Sequence, residues 1–334
     1  MLQKKKKLLL IVITCTFLVG MAIYFSFNES QLSVPKDDID TYEGIRDLLG
    51  EDVYGYGLGI YNPIHGRQEN LVWNSTNQEL KLTLTNFSSD VELLLKLFWN
   101  FEELSFSIDG SETSTAYIFN SRYAEDKEWS ITIEEEIDLS GEGFLGYLSP
   151  MVFVNPNIHQ KNARFYEHKN YGMVGLTYVF ASDDFNEFKP ELVFPSESYQ
   201  SFDEYAEEYY SLNITTTDQQ ELLNNPRPYL NVNRGEMVEL NFLLGAAIED
   251  VNEYVMFALL DNNQVKLNGE QNLPIRLNRD AESNRIIQQT GALSFLAPDD
   301  PGTYEFIAYA VGLGSEMRGL GMVDNSFRIT IVVK

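Results

Sequence analysis

Over most of the chain from about residue 53 onward one pattern recurs: apolar and polar residues alternate in short runs, and polar turn residues separate the runs. A period of two puts every second side chain on one face, which suits a half-buried strand and not a helix. Leu80, Leu82 and Leu84 alternate with Lys81, Thr83 and Thr85. Leu104, Phe106 and Ile108 follow and end at Asp109-Gly110, a hairpin signal. Trp129, Ile131 and Ile133, then Met151–Val154 and Gly172–Phe180, give further strands. Val91–Trp99 and Tyr254–Leu260 are nearly continuous apolar runs and predict more deeply buried strands. Val238, Leu240, Phe242 and Leu244 restore the alternation, as do Tyr304, Phe306, Ala308 and Ala310. Phe327, Ile329, Ile331 and Val333 close the chain. Strands recurring every ~10–15 residues between polar turns predict a mainly β protein built from sandwiches or barrels.

Ahead of this region lies a different kind of segment. Four consecutive lysines, Lys4, Lys5, Lys6 and Lys7, precede Leu8–Phe27, twenty residues without a charge. As a helix these span about 30 Å, the thickness of a bilayer's hydrocarbon core. The lysines belong on the cytoplasmic side, so the expected topology is single-pass, with the N-terminus in the cytoplasm and the C-terminus extracellular. Residues 8–27 read as a retained signal anchor. Two alternatives remain: a signal peptide cleaved near Gly20-Met21-Ala22, and a lipoprotein anchor at Cys15, where Val12-Ile13-Thr14-Cys15 resembles a lipobox.

Charge and cysteine narrow the function classes. The chain carries 24 basic and 50 acidic residues, a net of −26. With Lys4, Lys5, Lys6 and Lys7 set apart, the rest holds 20 basic residues against 50 acidic ones, or −30. Such a surface repels phosphate backbones and excludes a nucleic-acid partner. Cys15 is the sole cysteine, so neither a disulfide scaffold nor a thiolate metal cluster is available. An exported region without cysteine resembles the exported proteins of Gram-positive bacteria, and the resemblance implies such a source.

The chain divides into a cytoplasmic tip (1–7), a transmembrane anchor (8–27), and a stalk with one short helix (28–52). A first β-sandwich (53–195), a helical connector (196–226) and a second β-sandwich (227–334) follow. The connector is expected to be helical because Ser201-Phe202-Asp203-Glu204 has the form of a capping box, and Phe202, Tyr205 and Tyr209 follow at helical spacing. Pro226-Arg227-Pro228 stops it.

In the last third, Asp300-Pro301-Gly302-Thr303-Tyr304 precedes an alternating strand. It resembles the D-x-G-x-Y corner of immunoglobulin-like domains, and the region resembles a bacterial immunoglobulin-like or fibronectin-type-III-like sandwich. The resemblance implies that the Gly permits a tight turn and that the Tyr hydroxyl bonds back to the loop entering the strand. Phe306 stands where antibodies carry a cysteine, and this region has no tryptophan. The resemblance implies a fold and no activity.

Chemistry-bearing motifs are few. Gly141-Glu142-Gly143-Phe144-Leu145-Gly146 fits G-x-G-x-x-G, but Tyr147-Leu148-Ser149-Pro150 cannot extend the helix that a phosphate site needs, so a turn between strands is expected. His65, His159 and His168 lack metal-ligand spacing, and 160–169 form a basic, aromatic loop that either contacts a partner or is an exposed connection. Asp37-Asp38, Asp183-Asp184 and Asp299-Asp300 are calcium candidates in loops, without EF-hand spacing, against a plain solvated acidic face. Trp99 and Trp129 fall in strand patterns, whereas Trp73, before the turn Asn74-Ser75-Thr76, is the candidate for an exposed, sugar-stacking tryptophan.

No catalytic residue and no cofactor site emerges. The sequence predicts a non-catalytic, membrane-anchored extracellular binding or assembly protein, with a protein or a cell-wall polysaccharide as ligand. A carbohydrate-binding module, an accessory subunit of a membrane complex and an exported hydrolase are the alternatives.

Overall fold

The computed structural model describes residues 56–64, 70–73, 79–87, 90–133, 137–139, 143–154, 156, 172–174, 177–181, 194, 198–205, 212–215, 229–245, 251–278, 288–313, 323–326 and 329–334. The chain separates into Met1–Val53 and Tyr54–Lys334. The first unit lies wholly outside the described residues. With it go Lys4, Lys5, Lys6 and Lys7, on which the expected topology rests, the expected anchor 8–27 and the stalk 28–52. Among the described residues no helix is long and apolar enough to cross a membrane.

The described residues are mainly β. The first half contributes β1 (Tyr56–Tyr61), β2 (Asn70–Val72), β3 (Leu80–Asn86), β4 (Val91–Trp99), β5 (Glu102–Leu104), β6 (Phe106–Ile108), β7 (Tyr117–Ser121), β8 (Asp126–Ile133), β9 (Phe144–Val154), β10 (Gly172–Val174) and β11 (Thr177–Phe180). A four-stranded sheet runs β1-β3-β8-β6. A seven-stranded sheet runs β2-β11-β9-β4-β5, with β10 also pairing β9 and β7 also pairing β4.

The second half contributes β12 (Asp203–Tyr205), β13 (Leu212–Thr215), β14 (Tyr229–Val232), β15 (Met237–Leu244), β16 (Glu253–Leu260), β17 (Asn263–Val265), β18 (Leu273–Arg276), β19 (Gln288–Leu296), β20 (Gly302–Gly312), β21 (Val323–Asn325) and β22 (Ile329–Val333). Its sheets run β12-β19-β15-β13 and β14-β22-β20-β16-β17, with β18 also on β16 and β21 also on β20. Each half is an open two-sheet sandwich around its own core.

The two topologies match strand for strand apart from β6 and β12, which lie on the outer edges of β8 and β19. In chain order β1–β5 correspond to β13–β17, and β7–β11 correspond to β18–β22, down to the parallel pairing of β2 with β11 and of β14 with β22. The chain therefore contains an internal repeat that the residue pattern does not reveal.

The turns repeat with the strands. Asn100 and Phe101, between β4 and β5, have φ of 48° and 68°; Asp261 and Asn262, between β16 and β17, have 46° and 65°. Each turn is tied to the neighbouring strand in the same way. Asn100 Oδ1 accepts from the Tyr147 amide at 2.9 Å, and Asp261 Oδ1 accepts from the Glu305 amide at 2.7 Å. Asp109-Gly110 (49°, 74°) matches Asn268-Gly269 (52°, 92°). Asp109 Oδ1 accepts from the Ser130 amide at 2.8 Å, as Asn268 Oδ1 does from the Ser294 amide at 2.7 Å. Asn and Asp suit these places because they tolerate left-handed φ and carry a short acceptor.

Only part of the expected connector lies among the described residues. The capping-box segment places a helix over Phe202–Leu212, but Asp203–Tyr205 is strand β12, paired antiparallel with β19, and Leu212 begins strand β13, paired with β15. Both short strands, within the stretch assigned to a connector, belong to the second sandwich. Tertiary packing overrides the local signal. Gly291 has no side chain, so the Phe202 ring settles over it and meets Phe242 edge-on at 4.8 Å. Residues 206–211 and 216–228 lie outside the described residues.

Candidate functional site

The central strands of both seven-stranded sheets are buried on both faces. In β4, Leu93, Leu95 and Leu97 enter the first sandwich core, while Leu94 and Phe98 point the other way. In β16, Tyr254, Met256 and Ala258 enter the second core, while Val255, Phe257 and Leu259 point away. The outward sets meet each other in a third core. It joins Leu94, Phe98, Phe101, Tyr147, Met151, Phe153, Tyr178 and Phe180 to Val255, Phe257, Leu259, Ile307, Tyr309, Val311 and Leu313. Continuous apolar runs such as Leu93–Leu95 and Tyr254–Leu260 are the sequence signal of strands covered on both sides.

This seam is aromatic and close-packed. Phe98 and Phe257 lie 5.3 Å apart, Phe153 meets Tyr309 edge-on at 5.8 Å, and Phe257 stacks on Tyr309 at 5.3 Å. Full burial of each such ring contributes about 2–3 kcal/mol by area. Burial pushes the Tyr147 hydroxyl well above the usual tyrosine range, with neighbouring Tyr178, Tyr199 and Glu253 adding to the rise, and burial also raises the Tyr178 hydroxyl.

A polar clasp crosses the seam beside this core. Fully buried Lys96, on the outward face of β4, pairs with Glu103 at 2.7 Å. Burial holds the Lys96 ammonium below its ordinary pKa, and Glu103 offsets part of that fall. Glu103 then meets Gln264 of the second repeat reciprocally. The Glu103 amide donates to Gln264 Oε1 at 2.9 Å, and the Gln264 amide donates to Glu103 Oε2 at 3.1 Å. Gln264 Nε2 also donates to the Phe101 carbonyl at 2.7 Å.

Glu103 pairs with Phe98 on β4, and Gln264 pairs with Leu259 on β16, so the two residues hold equivalent positions in their repeats. Equivalent residues touching each other through the same face is the signature of an isologous contact, here within one chain. Each side chain caps the edge strand of the other repeat.

At the C-terminal corner, the Tyr304 hydroxyl donates to the Asp300 carbonyl at 2.9 Å. Gly302 is paired with Val333 at the start of β20. Its part is space: a β-carbon there would lie 3.1 Å from the Tyr304 ring. In the first repeat the residue at the register position of Tyr304 is Gly146, where a β-carbon would come within 2.8 Å of Trp99 and 2.6 Å of Asn100 Oδ1. Trp99 thus lies across a glycine where the second repeat carries Tyr304.

The remaining sequence candidates fall as follows. Trp73 is fully buried and edge-on to Trp99 at 5.8 Å, so it presents no face to a sugar; its backbone amide donates to Phe180 and continues the β2–β11 pairing, which draws the ring inward. Trp99 and Trp129 pack against the first core. After Gly143 comes strand β9, with Gly146 inside it, where a phosphate site requires a helix. Asp300 and Asp299 are exposed, and among the described residues no three His, Cys, Asp or Glu side chains converge as a metal site would need. His65, His159, His168, Asp37-Asp38 and Asp183-Asp184 lie outside the described residues, as do the topology lysines Lys4, Lys5, Lys6 and Lys7.

No protein-family signature and no curated protein matches the chain. Among solved structures, the C-terminal domain of the Streptococcus pyogenes antigen I/II-family protein AspA aligns at 8% identity over 84% of this chain and 100% of that one, with a TM-score of 0.22. The Escherichia coli chaperone DraB aligns at 10% identity over 83% and 97%, with a TM-score of 0.25. A CARDB domain from Pyrococcus furiosus aligns at 12% identity over 43% and 100%, with a TM-score of 0.23.

Proposed function

We propose that this chain is a membrane-anchored extracellular protein of a Gram-positive surface, acting in binding or assembly and not in catalysis. Lys4, Lys5, Lys6 and Lys7 and the uncharged run Leu8–Phe27 support the anchor and its direction. The observation that carries the non-catalytic reading is the use made of polar side chains. Asn100, Asp109, Asp261 and Asn268 each tie a turn to a strand, and Lys96, Glu103 and Gln264 clasp the seam. These groups serve the architecture, and the architecture joins two sandwiches through a shared apolar core. The burial of Trp73 takes away the tryptophan on which a carbohydrate-binding reading rested.

Protease shaving of intact cells that express the C-terminally tagged chain tests topology: loss of the tag with an intact N-terminal fragment supports the proposal, and full protection refutes it. Pull-down with the chain from Gln31 onward against separated wall-polysaccharide and surface-protein fractions then assigns the ligand class. Turnover of polysaccharide or peptide by the pure protein would overturn the non-catalytic reading.

A further inference from the structure

The two repeats treat one sheet edge differently. In the first, the start of β8 reads Asp126-Lys127-Glu128, and among the described strands none pairs with it on the outer side; β6 covers only Ile131–Ile133. Charges along an edge are a recognised defence against a further strand. The second repeat has Gln288-Gln289-Thr290 at the start of β19, uncharged and buried, and here β12 is paired: Asp203 with Thr290, Glu204 with Gln289, Tyr205 with Gln288.

The covering segment is a strap from outside the repeat's own strand order. Before it reaches β19 it is held on the opposite sheet, where the Gln200 amide donates to the Pro274 carbonyl at 2.9 Å and Arg276 lies over the Tyr199 ring at 4.4 Å. Phe202 then crosses the opening and occupies the space left by Gly291, where a β-carbon would come within 2.4 Å of the ring. Three paired residues and one half-buried ring are a short hold.

A second observation points to another occupant. Strand parity places Gln289 on the inward face with Gly291, Leu293 and Phe295. It is fully buried, yet neither its Oε1 nor its Nε2 has a hydrogen-bond partner. The residue opposite, Glu204, is exposed and bonds Asn278 at 3.4 Å. A buried amide left unmet is a standing penalty that a better-matched strand would remove.

We propose that the Gln288–Gly291 edge is an acceptor site for an extended strand of a partner protein, and that residues 199–205 fill it in the free chain. The partner strand runs antiparallel to β19, places an aromatic side chain over Gly291, and carries an amide side chain two residues later to pair with Gln289. Main-chain pairing supplies affinity and the two side chains supply selectivity. This inference stands independently of the proposed surface role.

The test uses the full chain in mild detergent and fluorescent peptides spanning residues 199–206: native, Glu204→Gln and Phe202→Ala. In a Phe202→Asp chain the strap loses its anchor, and the native peptide should bind saturably. The Glu204→Gln peptide should bind about tenfold tighter and the Phe202→Ala peptide at least about tenfold weaker. Adding Gly291→Val to the Phe202→Asp chain fills the space and should abolish binding. The wild-type chain, whose strap competes at about millimolar effective concentration, should bind the Glu204→Gln peptide more weakly but measurably. Equal affinities for the three peptides, indifference to Gly291→Val, or no binding to the wild type at millimolar peptide would overturn the proposal. If the Phe202→Asp chain does not fold, recovery of its thermal transition by the native peptide and not by the Phe202→Ala peptide supports it, and recovery by neither refutes it.

Discussion

Replacing Glu103 by Ala tests the seam most directly. At 2.7 Å and an effective dielectric constant of about 20, the Lys96–Glu103 attraction is about 6 kcal/mol. Burying the lysine opposes it by several kcal/mol, so the intact pair contributes little net stability. Removing Glu103 deletes the attraction and leaves the burial term. It also leaves the Gln264 amide without its acceptor at 3.1 Å, worth about another 1 kcal/mol. The expected loss is about 3–5 kcal/mol. Replacing both members, Lys96→Met with Glu103→Leu, removes the stranded charge and should return stability to within about 1–2 kcal/mol of wild type.

Urea unfolding followed by tryptophan fluorescence reads the cycle, because Trp73 and Trp99 sit in and against the first core. The pH dependence supplies a second arm. Lys96 has a folded pKa below its ordinary 10.5, so the unfolded chain binds more protons between the two values and stability rises with pH across that window. In Glu103→Ala the offsetting carboxylate is gone, so the rise should begin at lower pH. A loss under about 1 kcal/mol, or a double variant no more stable than Glu103→Ala, would refute the claim that the clasp compensates a buried charge.

Four further expectations follow from the repeat and its corners. Tyr304→Phe should lose about 1 kcal/mol in the same unfolding assay, the value of one hydroxyl-to-carbonyl hydrogen bond. Gly146→Ala should lose at least about 2 kcal/mol, since Trp99 and Asn100 leave no room for a methyl group. Asp109→Asn and Asn268→Asp exchange the acceptors that the two repeats use at equivalent turns, so each should change stability by less than about 0.5 kcal/mol, whereas Asn268→Val, β-branched at a φ of 52°, should cost more than about 2 kcal/mol. Iodide should fail to quench Trp73 in the folded chain; ready quenching in a variant that retains only Trp73 would contradict its burial.

Much of the strand content could be read from residues. Alternation at Leu80–Leu84 and Val238–Leu244 follows from one dry face and one wet face, a local property of the chain. The turn at Asp109-Gly110 was equally legible, because left-handed backbone restricts residue type on the spot. The segment at Phe202 was not: its capping-box signal is genuine, but the partner that overrides it, Gly291, is far off in sequence. Trp73 misled for a related reason, since its burial depends on β2 pairing with β11, more than a hundred residues later.

Residue order alone carries the mainly β character, the basic tip ahead of an uncharged run, the acidic remainder and the lack of a cysteine scaffold. Composition, charge and two-residue period are properties that each short stretch carries alone. The folded chain adds that the two sandwiches share one topology across ten strands each and that their equivalent faces are spent on each other. It adds too that a strap closes one edge of the second. Those outcomes turn on which distant strands become neighbours, and a residue's pattern records that its face is buried without recording what buries it.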